Sequence, residues 1–384
     1  MKKVLVLTSF FYLFLLWYGV NFLSFSIVDV KGIEKFPILN YILDFSFLIF
    51  GKSDFALRLP QILIGFISVL LFYKISEFYL KKENDKFFAS LIFMLIPGLI
   101  ISSLIVNKSI YIIFLTIFFV YLYHIKKYLS YLLLATMIFL DYSFISLFFA
   151  LIFYAIYKKD NLLLILSLIF LALNANYFNY DIGGKPRGYF LDLFGTYFLI
   201  FSPFVFVYFL FSIYKGLLDK KRDIIFFITF FTFIISIILS FRQRIKIDDY
   251  APFTLIYIVY MVKYYLNSYR VRLPKFRYFY KILFVFLLTT LMVFDFALFL
   301  NRYTPAKNLS ASYYFIKPLV KVLKRNNILQ IKCDNPRLQK ALEFYGIKKG
   351  NVYFLKYVKK KHRVSIFHKK RKIKEIDVSN LNTI

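Results

Sequence analysis

The stretch VLVLTSFFYLFLLWYGVNFLSF (residues 4–25) decides the class of this chain of 384 residues. It contains no charged side chain and is long enough to cross about 30 Å of hydrocarbon, as is ILFVFLLTTLMVFDFALFL (residues 282–300) with its single Asp. Hydrophobic residues make up 60% of the sequence and aromatic residues 22%, whereas soluble domains have about 45–50% apolar residues. The sequence therefore excludes a soluble globular enzyme and a disordered chain, and it predicts an α-helical polytopic membrane protein.

The first apolar run follows Met1-Lys2-Lys3, as the apolar core of a signal peptide does. It is longer than the about 7–15 residues of such a core, and no small-x-small cleavage site follows it. We therefore interpret it as an uncleaved span with a cytoplasmic N-terminus. With this span, the hydropathy pattern predicts about eleven, the others being residues 56–78, 86–105, 109–125, 128–140, 142–157, 161–174, 196–215, 224–241, 251–268 and 282–300.

The charge balance is strongly basic, with 51 Lys and Arg against 20 Asp and Glu and a net charge of +31. Such an excess is common in nucleic-acid-binding proteins, but here the cations cluster between apolar runs, as the positive-inside rule predicts for a membrane protein. Nucleic acid is therefore not an expected partner. We expect a multi-pass protein of the cell (inner or plasma) membrane whose cytoplasmic loops are residues 74–86, 126–127, 158–159, 215–222 and 270–281.

Residues 128–157 are apolar enough for one long span or for two short ones. Lysine pairs at 126–127 and 158–159 flank this segment, and a single crossing would put one pair outside. Two short helices keep both pairs in the cytoplasm, so the sequence favours a hairpin. Its turn would lie at Asp141-Tyr142, where Asp141 is expected to mark a polar turn.

Residues 301–384 have a different pattern, with many Lys and Arg and shorter apolar segments. We predict a small basic C-terminal α/β domain here, following a transmembrane domain at residues 1–300. The span count places this domain outside the cytoplasm, together with loops 26–55, 106–108, 175–195 and 242–250, although its basic charge alone would favour the cytoplasmic side. Its predicted helices are 312–326 and 336–345, and its predicted strands are 328–333, 351–358 and 362–368.

The first predicted outward loop carries two acidic side chains, Asp29 and Glu34, soon after the first span. It continues into an amphipathic stretch, residues 38–50, that is too short to cross the bilayer and is expected to lie along the membrane interface. Arg58 follows where the second span opens, and we expect it to anchor that span. Polar groups that face one compartment close to the bilayer are where chemistry is expected in such a protein.

The elements of this region follow one another as a first span, an acidic loop, a P-x-L-x-Y interfacial helix, an FG-x-S-D-F-A-x-R-x-P stretch and a second span. The residues of these motifs are Pro37, Leu39, Tyr41, Phe50, Gly51, Asp54, Phe55, Ala56, Arg58 and Pro60, and further on Pro97, Lys246, Tyr250 and Pro252. In this order the sequence resembles the polyprenyl-phosphate-dependent glycosyltransferases of the GT-C superfamily. It is similar in particular to the branch that contains aminoarabinose transferase and the protein O-mannosyltransferases. The resemblance covers most of residues 1–300 and is strongest in 26–100.

The resemblance implies an enzyme that takes a sugar from a polyprenyl-phosphate carrier and passes it to a lipid, glycan or protein acceptor on the outer face. The family's first-loop carboxylate acts as general base or positions the acceptor, which implies this role for Asp29, with Glu34 as the next candidate. An acceptor hydroxyl must lose its proton as it attacks the anomeric carbon. The first loop is shorter than in the family, and residues 106–109 lack its second acidic residue, so an inactive relative is an alternative.

Two predicted outward loops contain cations that run against the positive-inside rule. A lipid phosphate would explain them, since it needs cationic or N–H donors at the outer interface. Contact with anionic lipid headgroups is the alternative. Asp248-Asp249 beside the second group could pair with it or bind a divalent cation. The candidates for binding the lipid phosphate are Lys185, Arg187, Arg242, Arg244, Lys246 and Tyr250.

No metal site built on cysteine or histidine is expected, because the chain has one cysteine, Cys333, and three widely separated histidines. No cofactor is predicted apart from the divalent cation. A transporter or flippase of a lipid-linked molecule is the competing class of function. Such proteins often show internal repeats and broken helices, whereas the two halves of this sequence show no convincing repeat, which favours the enzyme.

Overall fold

A computed structural model describes residues 2–179, 188–300, 311–358, 363–368 and 371–377. The described chain is mostly helical and forms two compact units. Unit 1 consists of Met1–Tyr12, Leu63–Ser103 and Lys108–Asp295, and unit 2 consists of Leu13–Ile62, Leu104–Asn107 and Phe296–Ile384. The division into domains at residue 300 stays a prediction.

The helices up to the middle of the chain are α1 (Lys2–Phe22), α2 (Ile27–Lys35), α3 (Ile38–Phe50), α4 (Asp54–Tyr79), α5 (Glu83–Met94), α6 (Pro97–Leu104), α7 (Ser109–Ile125), α8 (Lys127–Met137), α9 (Phe144–Lys158) and α10 (Asn161–Tyr177). Those that follow are α11 (Phe190–Phe201), α12 (Pro203–Leu218), α13 (Ile224–Ser240), α14 (Ala251–Thr254), α15 (Ile258–Val271), α16 (Pro274–Leu300), α17 (Ala311–Tyr314), α18 (Ile316–Arg325) and α19 (Pro336–Phe344). Short 3-10 turns at Ile247–Asp249 and Leu255–Tyr257 flank α14.

Three of the described helices, α1, α4 and α16, are long and apolar enough to cross a membrane, and the number rises to five if each of two bent pairs counts as one span. Five further apolar helices are shorter, among them α7, α9, α10 and α13. Only 11% of the most apolar window of α16 is buried within the protein, which leaves its apolar side chains to a lipid environment. The chain therefore has the helices of a membrane protein, and the total of eleven spans stays a prediction.

Two of the predicted spans are bent rather than straight. The span predicted at 196–215 is wrong as a single helix, because α11 and α12 meet at 105°. Ser202 between them has a φ of 68°, which ends α11, and Pro203 then starts α12. The span predicted at 86–105 is also broken, with α5 and α6 meeting at 54° just before Pro97.

The predicted hairpin at 128–157 is confirmed as two helices, α8 and α9, with the turn between them at residues 138–143. In unit 1, close helix packing also depends on Gly65 in α4. A Cβ there would lie 2.4 Å from Ser103 Oγ and 2.6 Å from Tyr12 Cε1, so a larger residue would force these helices apart.

The first predicted outward loop contains a helix that the sequence analysis missed. Ser26 caps α2 by accepting the Asp29 N–H, while the Asp29 side chain accepts the Ser26 N–H, a reciprocal capping box. The next helix, α3, has the predicted bounds. It buries Leu39 and Leu43 and exposes an apolar stripe that includes Tyr41, Phe45 and Leu48.

The C-terminal residues form α17, α18 and α19 and a four-stranded sheet with strand order β1-β2-β3-β4. Strand β1 pairs parallel to β2, and the β2–β3 and β3–β4 pairs are antiparallel. The predicted helix at 336–345 and the last two predicted strands are confirmed, whereas the helix predicted at 312–326 is divided into α17 and α18. The strand predicted at 328–333 is short, and a strand at 371–377 was missed. The strands are β1 (Lys332–Cys333), β2 (Tyr353–Val358), β3 (Arg363–His368) and β4 (Arg371–Asp377).

Candidate active site

Unit 1 contains a buried cluster of opposite charges around Lys108, which directly precedes α7. The Lys108 Nζ lies 2.6 Å from Asp141 Oδ1 and 2.7 Å from Asp249 Oδ1, and it sits 4.1 Å from the centre of the Tyr142 ring. Asp141 and Tyr142 come from the turn between α8 and α9, and Asp249 comes from the 3-10 turn before α14. We call these four residues the Lys108 cluster.

Hydrogen bonds fix the Lys108 cluster from several sides. The Tyr142 hydroxyl donates to Asp249 Oδ2 at 2.5 Å, and the Ser143 N–H donates to Asp141 Oδ1 at 2.8 Å. Asn174 in α10 donates to the backbone carbonyls of Ile138 and Asp141 at 2.7 and 3.2 Å, which fixes the α8–α9 turn. The positions of both carboxylates are therefore set before any ligand arrives, as electrostatic recognition requires.

The protonation state of Lys108 follows from its partners. Burial lowers the pKa of the Lys108 ammonium, but the carboxylates of Asp249 and Asp141 outweigh burial and hold that pKa above its usual value. Lys108 therefore stays charged at neutral pH. Asp141 lies in the α8–α9 turn, as predicted, and its carboxylate is buried and paired with Lys108.

A cavity of about 250 Å³ opens beside the Lys108 cluster within unit 1. Its wall combines cations, a carboxylate, hydroxyl and amide groups, and aromatic rings. It is lined by Tyr142, Phe178, Asn179, Gln243, Arg244, Ile245, Lys246, Asp249 and Tyr250. Such a mixture suits a ligand that carries a phosphate and several hydroxyl groups.

The predicted phosphate-binding residues divide into three groups. Arg244, Lys246 and Tyr250 line the cavity, and the Lys246 Nζ lies 5.7 Å from the centre of the Tyr142 ring. Arg242 lies on the surface in the turn after α13. The other two candidates, Lys185 and Arg187, lie outside the described residues. The role of all of them in binding a lipid phosphate stays a prediction.

The Asp248-Asp249 pair was the candidate for binding a divalent cation. Among the described residues, no group of three or more His, Cys, Asp or Glu side chains could hold a metal ion. Asp249 is already paired with Lys108, and the Asp248 carboxylate accepts a hydrogen bond from Ser109 Oγ at 3.2 Å. Both carboxylates of the Asp248-Asp249 pair therefore contact protein groups.

Unit 2 contains the other predicted site, around Asp29. One carboxylate oxygen accepts the Val106 N–H at 3.0 Å, and the other accepts the N–H and hydroxyl of Ser26, both at 2.9 Å. Arg58 Nη2 lies 4.0 Å away, and both side chains are fully buried. A Cβ on Gly32 would lie 2.4 Å from the Val106 carbonyl oxygen, so glycine is needed where α2 approaches this segment.

Arg58 binds mainly backbone. Its guanidinium donates to the carbonyls of Leu104 and Ser24, the second at 3.0 Å. A guanidinium that joins three chain segments in this way acts as a structural anchor, which was the role expected for it. Burial raises the pKa of the Asp29 carboxyl, and Arg58 and the hydrogen bonds from Ser26 and Val106 offset only part of that rise.

Glu34, the second catalytic candidate, lies in the last turn of α2. It forms ion pairs with Arg337 at 2.7 Å and with Lys340 at 3.0 Å, both on α19. Hydrogen bonds from Arg337 and Lys340 hold the pKa of Glu34 below its usual value. The catalytic roles of Asp29 and Glu34 both stay predictions.

Comparison with known proteins bears on the first half of the chain. Residues 34–177 match the family described as dolichyl-phosphate-mannose-protein mannosyltransferase. This confirms the GT-C resemblance. The matched segment includes α3, the Arg58 anchor, Lys108 and Asp141. No curated protein sequence gives a significant match.

Two solved structures of ArnT from Cupriavidus metallidurans also resemble this chain. The apo structure has a TM-score of 0.49 and 11% sequence identity, and the match covers 90% of this chain and 75% of that one. The structure bound to undecaprenyl phosphate has a TM-score of 0.49 and 10% identity, and the match covers 89% of this chain and 74% of that one.

Proposed function

We propose that this protein is an integral membrane glycosyltransferase that moves a sugar from a polyprenyl-phosphate carrier to an acceptor on the outer face of the membrane. The observation that carries the proposal is the cavity beside the Lys108 cluster. It places Arg244 and Lys246, the cations predicted to bind a lipid phosphate, on the same wall as the Asp249 carboxylate and the Tyr142 hydroxyl.

The chemistry of the cavity matches a sugar phosphodiester. Arg244 and Lys246 would hold the phosphate oxygens through charge-assisted hydrogen bonds. Asn179, Gln243 and Asp249 offer acceptors and donors for sugar hydroxyls, and Tyr250 adds an aromatic surface for the apolar face of a sugar ring. Lys108 keeps one carboxylate oxygen of Asp249 neutralised, which limits its repulsion of the bound phosphate.

The proposed reaction is a direct displacement. An oxygen of the acceptor forms a bond to the anomeric carbon, and the bond from that carbon to the phosphate oxygen breaks. The polyprenyl phosphate leaves with the electron pair, and a carboxylate takes the acceptor proton. Inversion at the anomeric carbon follows from a single displacement.

The proposed general base is Asp29, with Glu34 as the next candidate. Burial of Asp29 favours its neutral form, so its carboxylate accepts a proton more readily than an exposed one does. Glu34 is less suited to the role, because two cations already stabilise its charged form.

The proposed topology has about eleven spans, a cytoplasmic N-terminus and an outward-facing basic C-terminal α/β domain at residues 301–384. Helix α3 is proposed to lie in the outer interface, which is supported by its exposed stripe of Tyr41, Phe45 and Leu48. The proposed partners are a polyprenyl-phosphate-linked sugar, a lipid, glycan or protein acceptor, and membrane lipids.

Genetic complementation tests this function. Deletion of the gene should remove an envelope glycan or a modified lipid, which mass spectrometry of envelope extracts would detect. Wild-type protein and the exposed control Asp44→Asn should restore it, whereas Arg244→Ala/Lys246→Ala should not. Asp29→Asn should fail to restore it and Glu34→Gln should restore it in part. Full restoration by both carboxylate variants would contradict the assigned base, and an unchanged envelope after deletion would contradict the function.

A further inference from the structure

The C-terminal part of unit 2 contacts the backbone just before Asp29. The Tyr345 hydroxyl, at the end of α19, accepts the Phe25 N–H at 2.7 Å and donates to Asp54 Oδ1 at 2.7 Å. The Phe344 ring packs beside the Phe25 ring with their centres 4.9 Å apart. Gly346 follows with a φ of 87°, a conformation that favours glycine, and it turns the chain away from α19.

Lys317, in the first turn of α18, makes a second set of contacts with the same backbone. Its Nζ donates to the Val20 carbonyl at 2.5 Å and lies 3.1 Å from Asp54 Oδ2. Its N–H donates to Ser24 Oγ at 3.1 Å, and the Ser24 N–H donates to the Tyr313 carbonyl at 2.6 Å.

These contacts fix the three residues that lead into α2. The N–H groups of Ser24 and Phe25 bind the C-terminal segment, and the Ser24 carbonyl accepts from Arg58. The next residue, Ser26, donates its N–H and hydroxyl to Asp29. Every backbone N–H from Ser24 to Ser26 is thus bound either by the C-terminal segment or by Asp29 itself.

The Asp54 carboxylate joins the two sets of contacts. Asp54 lies between the Lys317 ammonium and the Tyr345 hydroxyl, and its side chain is 17% exposed while that of Lys317 is 21% exposed. Removing either partner leaves a mostly buried carboxylate short of a donor and frees the backbone before α2. A shift of the α2 N-terminus would move the Asp29 carboxylate, which lies one helical turn further on.

We propose that Tyr345 and Lys317 are positioning residues for Asp29, so that the C-terminal segment forms part of the catalytic machinery. This inference rests on the proposed transferase function with Asp29 as its base. Each of the two residues acts through the Ser24–Ser26 backbone.

The test compares Tyr345→Phe and Lys317→Met with matched controls. Tyr128→Phe removes a hydroxyl from an exposed tyrosine on α8, and Lys321→Met removes an ammonium from an exposed lysine one turn along α18. Lys317→Arg keeps the cation. For each full-length protein we would measure the envelope product restored in the deletion strain, the melting temperature in detergent, and binding of undecaprenyl phosphate by native mass spectrometry.

We expect Tyr345→Phe and Lys317→Met to lower the amount of product about tenfold, the effect of one unmade buried hydrogen bond. Lys317→Arg should recover most of it, and the controls should match wild type. Binding of undecaprenyl phosphate should change little, because the cavity lined by Arg244 and Lys246 belongs to unit 1. The melting temperature should fall only by the modest amount that one unmade buried hydrogen bond costs.

Product at the wild-type level in both variants would overturn the positioning role while leaving the transferase function intact. A loss of product that tracks a lowered melting temperature and is not recovered by Lys317→Arg would also overturn it, since that pattern indicates a structural role. Loss of the function itself would show separately, as an unchanged envelope in the deletion strain.

Discussion

The Lys108 cluster and the Asp29–Arg58 pair are both buried arrangements of a cation with carboxylates, yet they are built differently. Lys108 contacts Asp141 and Asp249 at 2.6 and 2.7 Å, and the cluster borders a cavity. Arg58 instead donates to backbone carbonyls and only approaches Asp29 at 4.0 Å. The side chains of the Lys108 cluster are therefore placed where a ligand could contact them. Arg58 instead fixes the backbone around the desolvated Asp29 carboxylate.

The largest effect is expected where the backbone itself depends on the cation. Arg58→Met should destabilise the protein by about 3–5 kcal/mol. The substitution leaves the buried Asp29 carboxylate without its nearby cation and removes the donors to the Leu104 and Ser24 carbonyls. The measurement is thermal unfolding in detergent. The double variant Asp29→Asn/Arg58→Met should recover part of the loss, and a melting temperature equal to wild type in the single variant would contradict the anchoring role.

A smaller loss of stability is expected for Lys108→Met, about 2–3 kcal/mol, because its carboxylates lie beside a cavity that water can enter. This variant should also lose undecaprenyl phosphate binding, since two uncompensated carboxylates would then repel the phosphate. Adding Asp141→Asn should restore stability in part. Normal binding by Lys108→Met would show that the cluster has no role in the ligand site.

The raised pKa of Asp29 predicts how transfer depends on pH. An acid whose pKa is raised is protonated at a higher pH than usual, so the base form is lost earlier on acidification. The rate of product formation should therefore fall at a pH clearly above about 4, the ordinary value for Asp. Glu34→Gln should show the same acid limb, and a profile that stays flat down to pH about 4 would exclude Asp29 as the base.

The smallest effect is expected at Glu34, whose ion pairs with Arg337 and Lys340 are partly exposed. Its pKa is lowered in the folded protein, so this contribution to stability is present above the ordinary pKa of Glu and is lost as the pH falls through the folded value. Glu34→Gln should therefore lower the free energy of unfolding by less than about 1 kcal/mol. This loss should appear only at pH values above the ordinary pKa of Glu. Equal stability differences between wild type and the variant at low and neutral pH would contradict this reading.

The sequence predicted those parts of the site that depend on local patterns. Apolar runs and the lysine pairs beside them predicted the bounds of α3 and the α8–α9 hairpin. Exceptions to the positive-inside rule pointed to the cavity cations Arg244 and Lys246. The helix α2 was missed, although Ser26-x-x-Asp29 is a capping-box spacing.

The Lys108 cluster could not be predicted in this way, because its members come from turns that are far apart in the chain. Lys108 stands where the family pattern suggested a missing acidic residue, and only the fold shows that Asp141 and Asp249 converge on it. The sequence also did not predict the 105° bend at Ser202. Hydropathy alone does not distinguish a straight span from two helices joined at a proline.

The most direct test of the account is lipid binding at the unit 1 cavity. Native mass spectrometry would compare undecaprenyl phosphate with undecaprenol, which lacks the phosphate, on wild type, Arg244→Ala/Lys246→Ala and the control Lys220→Ala. We predict that wild type and the control bind undecaprenyl phosphate in preference to undecaprenol. The double variant should lose about a hundredfold in affinity for the phosphate form, about 1.4 kcal/mol per cation. Equal binding of both lipids by wild type, or unchanged phosphate binding by the double variant, would contradict it.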